Sequence, residues 1–151
     1  MKTDLVVADY IFDRDKLLLI HHKELGLWLP VGGHIEKNET SDDAALRESK
    51  EEVNLDVKLL SQSNIPVVGN TKRNLATPFY VNVHSVGNHD HCCFFYICEA
   101  LNPLELKLKK DEVDDYKWVE KRELISKNYM PMDVTAIGYE AFRLYNTLKV
   151  V

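Results

Sequence analysis

The sequence predicts an α/β fold, a mixed β-sheet sandwiched between helices. Three observations predict it. Apolar runs of strand length lie on both sides of one central helix, a second stretch of helical periodicity closes the chain, and no linker, internal repeat or low-complexity tract interrupts the 151 residues. That length suffices to bury a core, so a single domain over residues 1–151 is expected.

Residues 4–13 (DLVVADYIFD) and 16–22 (KLLLIHH) read as two strands of a hairpin turned at Arg14-Asp15. Residues 25–33 (LGLWLPVGG) form a short extended piece, because Pro30 pushes Leu29 out of the helical region and Gly32 and Gly33 let backbone approach a ligand. A helix then runs over 41–53. Thr40 or Ser41 caps it, Asp42 and Asp43 meet the positive end of its dipole, and Ala45, Leu46, Ser49 and Val53 share an inward side. Residues 55–68 suggest a strand, 69–77 a polar loop, and 78–86 (PFYVNVHSV) a further strand. Residues 91–100 (HCCFFYICEA) are almost continuously apolar, as in a strand covered on both faces. A polar, acidic loop over 104–115 leads to a short strand at 116–119 and a short helix at 120–125. Residues 131–148 have helical spacing, with Val134, Ile137, Ala141, Leu144, Tyr145 and Leu148 on one side.

Composition narrows the function. A net charge of −5 argues against a nucleic-acid partner held through its phosphates, which calls for a basic surface. No apolar run of about 18 residues offers a membrane span, and the charge-broken start MKTDLVVADYIFDRDK does not read as a signal peptide. Cys92, Cys93 and Cys98 are odd in number and share one apolar segment, so reduced thiols in a cytoplasmic protein are expected rather than a disulfide framework. An acidic protein that handles anionic phosphates needs a cation between the two, and residues 33–55 (GHIEKNETSDDAALRESKEEVNL) offer a place for one.

On a helix, Glu48, Glu51 and Glu52 stand at i, i+3 and i+4, so their carboxylates converge on one face. Converging carboxylates repel one another. A hard divalent cation between them, Mg²⁺ or Mn²⁺, reverses that cost. E-x-x-E-E alone reads more readily as a solvated helix face; Gly33, Glu39 and Arg47 in register with it turn the reading toward a metal. Arg47 reaches Glu51 one turn on or Glu39 in the loop, which suits it to orienting carboxylates, with Glu39 and Gly33 bracing the loop-to-helix junction.

This spacing resembles the Nudix box: Gly, five residues, Glu, seven residues, Arg-Glu, an apolar residue, any residue, Glu-Glu, any residue, Gly, an apolar residue. Gly33, Glu39, Arg47, Glu48, Glu51, Glu52 and Leu55 fill those positions. Ser49 stands where an apolar residue is usual, which weakens inward packing, and Asn54 replaces the closing glycine. Asn tolerates the left-handed conformation of a helix C-terminus best among non-glycine residues. The resemblance implies an α/β/α sandwich with a mixed sheet, and metal-dependent cleavage of the diphosphate linkage in a nucleoside diphosphate derivative or nucleoside triphosphate. It implies Glu48, Glu51, Glu52 and the Gly32 carbonyl as metal ligands. For the general base it offers Glu48 or a carboxylate of a later loop. Glu112 is the loop candidate, with Asp111, Asp114 and Asp115 beside it, and an acidic surface loop reads the same way. A small-molecule nucleotide is the expected partner, and the resemblance allows a homodimer.

Other clusters carry weaker signals. His89-Asp90-His91, with His84, Cys92 and Cys93, invites a zinc site. Yet a two-residue spacing with no C-x-x-C or second paired element leaves a tetrahedral set incomplete, and a place on the sheet near the substrate or a strand-end cap fits better. Either His21 or His22 can meet a phosphate. Trp28, Phe79, Tyr80 and Tyr96 can stack on a base, although aromatics in strands are more often core. Lys72 and Arg73 can reach a terminal phosphate or lie solvated. Two rival functions remain: a non-catalytic nucleotide-binding sensor, and isopentenyl-diphosphate isomerase-type chemistry using Cys92 or Cys93. The intact acidic positions favour hydrolysis over both. Nothing in the chain selects the substrate, which loops outside the box decide.

Overall fold

The computed structural model describes residues 1–126 and 130–149. Eight strands form one mixed sheet: β1 Thr3–Asp13, β2 Lys16–His22, β3 Leu27–Leu29, β4 Val31–His34, β5 Val57–Leu59, β6 Tyr80–Ser85, β7 Asp90–Ala100 and β8 Val113–Glu120. Three helices accompany them, α1 Ser41–Val53, α2 Lys121–Ser126 and α3 Met132–Leu148. None is long and apolar enough to cross a membrane.

Strand β1 organises the sheet. It pairs in parallel with β7 along its length, from Thr3 opposite Asp90 to Phe12 opposite Glu99. Its other edge is shared between β4, with Val6 opposite His34 and Asp9 opposite Val31, and β2, with Phe12 opposite Leu17. The predicted hairpin at Arg14-Asp15 is present, with Arg14 at φ 58°, but β2 turns away after two pairs and continues against β8. Alternation along β1 sends side chains to opposite faces. Val6, Ala8, Tyr10 and Phe12 join Cys93, Phe95 and Ile97 under α3, where Val134, Ile137, Ala141, Phe142 and Tyr145 are buried. Val7 and Ile11 join Tyr96 and Cys98 under α1, which contributes Ala44, Ala45 and Val53. The sandwich is therefore helix, mixed sheet, helix.

Several local expectations change. The strand expected over 55–68 is only Val57–Leu59, with an isolated bridge from Gln62 to Ala76, because Pro66 and the polar stretch around it break the ladder. The short strand at 116–119 extends back to Val113, paired across the sheet with His22. Leu46 is 40% exposed, and Ala44 and Glu52 take the inward positions instead. Thr40 is the N-cap by backbone position, but its hydroxyl donates to Asp42 rather than accepting from the helix. Asn54 adopts φ 58°, as its place at the C-terminus of α1 requires, and its N–H reaches the Lys50 carbonyl.

Ser49 does not weaken the packing. It is fully buried, and its hydroxyl donates at 2.7 Å to Asp9 Oδ2 on β1. Burial first, then the nearby charges of Glu52 and Glu48, hold the Asp9 carboxyl well above the ordinary range. Its other oxygen has no partner among the described residues. Removing the one donor leaves a buried carboxyl unpartnered. Ser49→Ala is expected to cost about 1–3 kcal/mol in urea denaturation, and Ser49→Ala with Asp9→Val to recover most of that.

Candidate active site

The site forms where β4 meets α1. Gly32 and Gly33 sit in β4 opposite Ala8 and Val7 of β1. A Cβ on Gly32 would collide with the Val7 carbonyl, and a Cβ on Gly33 with the Glu48 carboxyl. The glycine pair is thus a matter of clearance: it lets β4 lie close to β1 and lets Glu48 rest on the strand. Glu52, 4% exposed, accepts a 2.9 Å hydrogen bond from the Gly32 N–H.

Arg47 ties the carboxylates together. Its Nε and Nη2 donate to the two oxygens of Glu39 at 2.7 and 2.9 Å, a bidentate grip. Nη1 donates to Glu48 at 2.9 Å and to Glu51 at 3.1 Å, and Nη2 also reaches the His34 carbonyl at 2.9 Å. Glu39 closes its own loop by accepting from the Glu36 N–H at 3.0 Å. The hydrogen bonds from Arg47 hold the Glu39 carboxyl below its ordinary range.

The inner carboxylates behave differently. Burial pushes Glu52 up to about 8, reinforced by the charges of Glu48 and Glu112 and opposed by the Gly32 N–H. Burial also raises Glu48, against the pull of Arg47, with Glu51 and Glu112 adding to it. Glu112, in the loop before β8, therefore lies close enough for its charge to be felt at both. That loop is pinned to the end of α1 by Lys109 N–H to the Glu52 carbonyl and Lys107 N–H to the Val53 carbonyl, each 2.9 Å. Glu112 carries an exposed ion pair with Lys109 at 3.3 Å and borders a cleft of about 450 Å³ with His22, Lys23, Glu24 and Asp111.

The predicted residues are brought together unequally. Glu48 and Glu52 line the glycine strand, Glu112 faces them from its loop, and Glu51 stands outward, half-exposed and bound to Arg47. The three box carboxylates are more open than a closed metal cage; among the described residues the trio with all ligand atoms within 4.8 Å is elsewhere, at Asp4, His34 and His91. Even so, the donors are all oxygen, and burial, with the neighbouring carboxylates adding to it, raises Glu48 and Glu52, a cost that a hard cation would offset. An ion that keeps several waters and takes one or two carboxylates suits such an open set.

Other candidates are accounted for. Tyr96 is buried in the core with its hydroxyl 2.6 Å from Ser41, and Phe79 packs edge-on against Tyr10, so neither is presented to a base. Trp28 is partly buried, beside His21 and under Lys117. His21 is held by Asp114 at 2.7 Å. Arg73 is bound to Asp42 at 2.8 Å at the head of α1. Asp9 was missed from the sequence; the polar Ser49 at an inward helix position was its only signal.

With this geometry in place, comparisons with known proteins become informative. The family model for the NUDIX domain matches residues 2–140. The chain is similar to a NUDIX-family hydrolase from Clostridium perfringens, at 30% identity and a TM-score of 0.83, over 96% of this chain and 99% of that one. It shares its fold with a MutT NUDIX hydrolase from Burkholderia pseudomallei (18% identity, TM-score 0.70, 93% and 98% of the two chains). The same holds for a MutT protein from Methanosarcina mazei Go1 (16% identity, TM-score 0.67, 95% of each chain). No curated protein matches the chain.

Proposed function

The chain belongs to the NUDIX hydrolase family, and we propose that it acts as one domain, a Mg²⁺- or Mn²⁺-dependent pyrophosphohydrolase that cleaves the diphosphate linkage of a nucleoside diphosphate derivative or nucleoside triphosphate. The observation that carries this reading is the burial of Glu52 and Glu48 side by side against the glycine strand, at a cost in charge that a bound cation would offset. Glu48, Glu52 and the Gly32 carbonyl would hold the ion, with Glu51 completing the set. When bound, such an ion neutralises diphosphate charge and acidifies water in its shell.

The chain's own residues do the rest. Arg47 and Glu39 fix the angle at which α1 presents Glu48, so positioning rests on a rigid helix rather than a loop. Glu112 is the better candidate to take the proton of an attacking water, because Glu48 is held by Arg47 whereas the Glu112 carboxylate meets an exposed lysine, Lys109, among the described residues. Glu112→Gln is expected to lower kcat by about 10²–10⁴-fold with KM little changed. A loss smaller than tenfold would pass the role to Glu48.

The substrate class is tested by turnover on a panel of nucleoside diphosphate derivatives and triphosphates with Mg²⁺, coupled to a phosphatase where the product needs it. Metal-dependent turnover of one class supports the reading. Nucleotide binding by calorimetry with no turnover on any member supports a sensor instead. A cytoplasmic location and a homodimer are further expectations of this reading.

A further inference from the structure

We propose that the face of the sheet opposite α1 carries a second metal site, for a divalent transition ion of the Zn²⁺ kind, built from Asp4, His34 and His91 with His89 and His84 at its rim. Strand register assembles it. Asp4 of β1 lies directly opposite His91 of β7, which lies opposite His84 of β6. His34 of β4 lies opposite Val6, two residues from Asp4 on the same face. Four of the six histidines in the chain thus meet around one carboxylate, with ring centroids 5.0–5.6 Å apart about His91. The spacing argument that counts against zinc in the sequence fails because the completing ligands come from two other strands.

The distances suit an ion. Ligand atoms of Asp4, His34 and His91 all lie within 4.8 Å of one another, and Asp4 Oδ2 is already 3.2 Å from His34 Nε2. Ligands on a tetrahedral Zn²⁺ with bonds of about 2.0–2.1 Å sit roughly 3.3 Å apart, so side-chain motion of about an ångström closes the set. The outer hydrogen bonds aim the rings. His89 Nδ1 is 2.7 Å from Asn88 Oδ1 and His84 Nδ1 is 3.1 Å from Asn82 Oδ1, contacts that hold each ring by its Nδ1 side. His89 Nε2 lies 3.4 Å from Asp4 Oδ2, at the rim of the set. Lys2 takes the other oxygen of Asp4, at 3.4 Å. Imidazole-rich donors select Zn²⁺-like ions and the all-oxygen box selects Mg²⁺ or Mn²⁺, so the two sites do not compete for one ion.

The test uses tag-free protein in saturating Mg²⁺. Zn²⁺ is titrated by calorimetry and Co²⁺ by its visible absorption. A single equivalent of Zn²⁺ is expected, with Co²⁺ bands of low-coordinate intensity. Binding is expected to persist in Glu52→Gln and to weaken at least about tenfold in His91→Ala and in His34→Gln. The His34 side chain is 60% exposed, so its variant keeps the fold even where loss of His91 perturbs it. No saturable binding, unchanged affinity in both histidine variants, or loss of binding in Glu52→Gln would each overturn the proposal. Because the readout is metal binding rather than turnover, failure here leaves the hydrolase reading intact.

Discussion

Glu52→Gln is expected to abolish metal-dependent turnover, by at least about 10³-fold, while making the metal-free protein more stable at alkaline pH. Both effects have one cause. Glu52 is buried beside Glu48 and within reach of the Glu112 charge, which raises it from an ordinary 4.5 to about 8. A carboxyl raised on folding binds its proton more tightly in the folded state. Its contribution to stability is therefore fully present below about 4.5 and is lost as pH rises through about 8. Glutamine has no charge to bury, and its amide oxygen can still accept the Gly32 N–H. At pH 9 without divalent ions, the variant is expected to gain on the order of 2 kcal/mol, several degrees in Tm, with little difference from wild type at pH 5. Thermal melts at the two pH values in EDTA check this. Equal melts at pH 9 would mean that Glu52 is not buried as charge.

Arg47 carries the second large effect. It binds Glu39 through two nitrogens, Glu48 and Glu51 through a third, and the His34 carbonyl besides. Lysine offers a single point charge and cannot reproduce that fork. Arg47→Lys is expected to lower kcat/KM by about 10–100-fold through misplacement of Glu48, the scale of lost outer-shell contacts. Arg47→Ala leaves Glu39 and Glu48, both largely buried, without their cation and is expected to cost about 3 kcal/mol or more. A split between kcat/KM and stability across the pair, read by kinetics and urea denaturation, separates positioning from simple folding loss.

What could be read from the chain follows from where the information is local. Periodicity placed α1 and α3, and the box spacing brought Glu48, Arg47 and Glu52 onto one helix behind Gly32 and Gly33, because those contacts depend on residues a turn or a loop apart. Asn54 was legible for the same reason: its left-handed φ is a property of one helix end. Contacts between distant segments were not legible. The parallel pairing of β1 with β7 joins residues about ninety positions apart and brings His91 to Asp4, while the Asp9–Ser49 bond joins β1 to α1 across forty positions. Leu46 was misplaced because an apolar residue on the edge of a helix stripe can face either way. The strand expected over 55–68 ends at Leu59, just before the polar run from Ser61 to Asn64.

The measurement that bears most directly on the central claim follows Mn²⁺ occupancy and turnover in the same samples. Free Mn²⁺ is read by its paramagnetic resonance signal, and phosphate release is read on the best substrate of the panel. The rate is expected to rise in step with bound Mn²⁺ in the wild type, to vanish in EDTA, and to be lost together with that binding in Glu52→Gln. Turnover undiminished in EDTA, or a Glu52→Gln protein that binds Mn²⁺ and turns over like the wild type, would contradict the assignment of the buried glutamates as the cation site that drives hydrolysis.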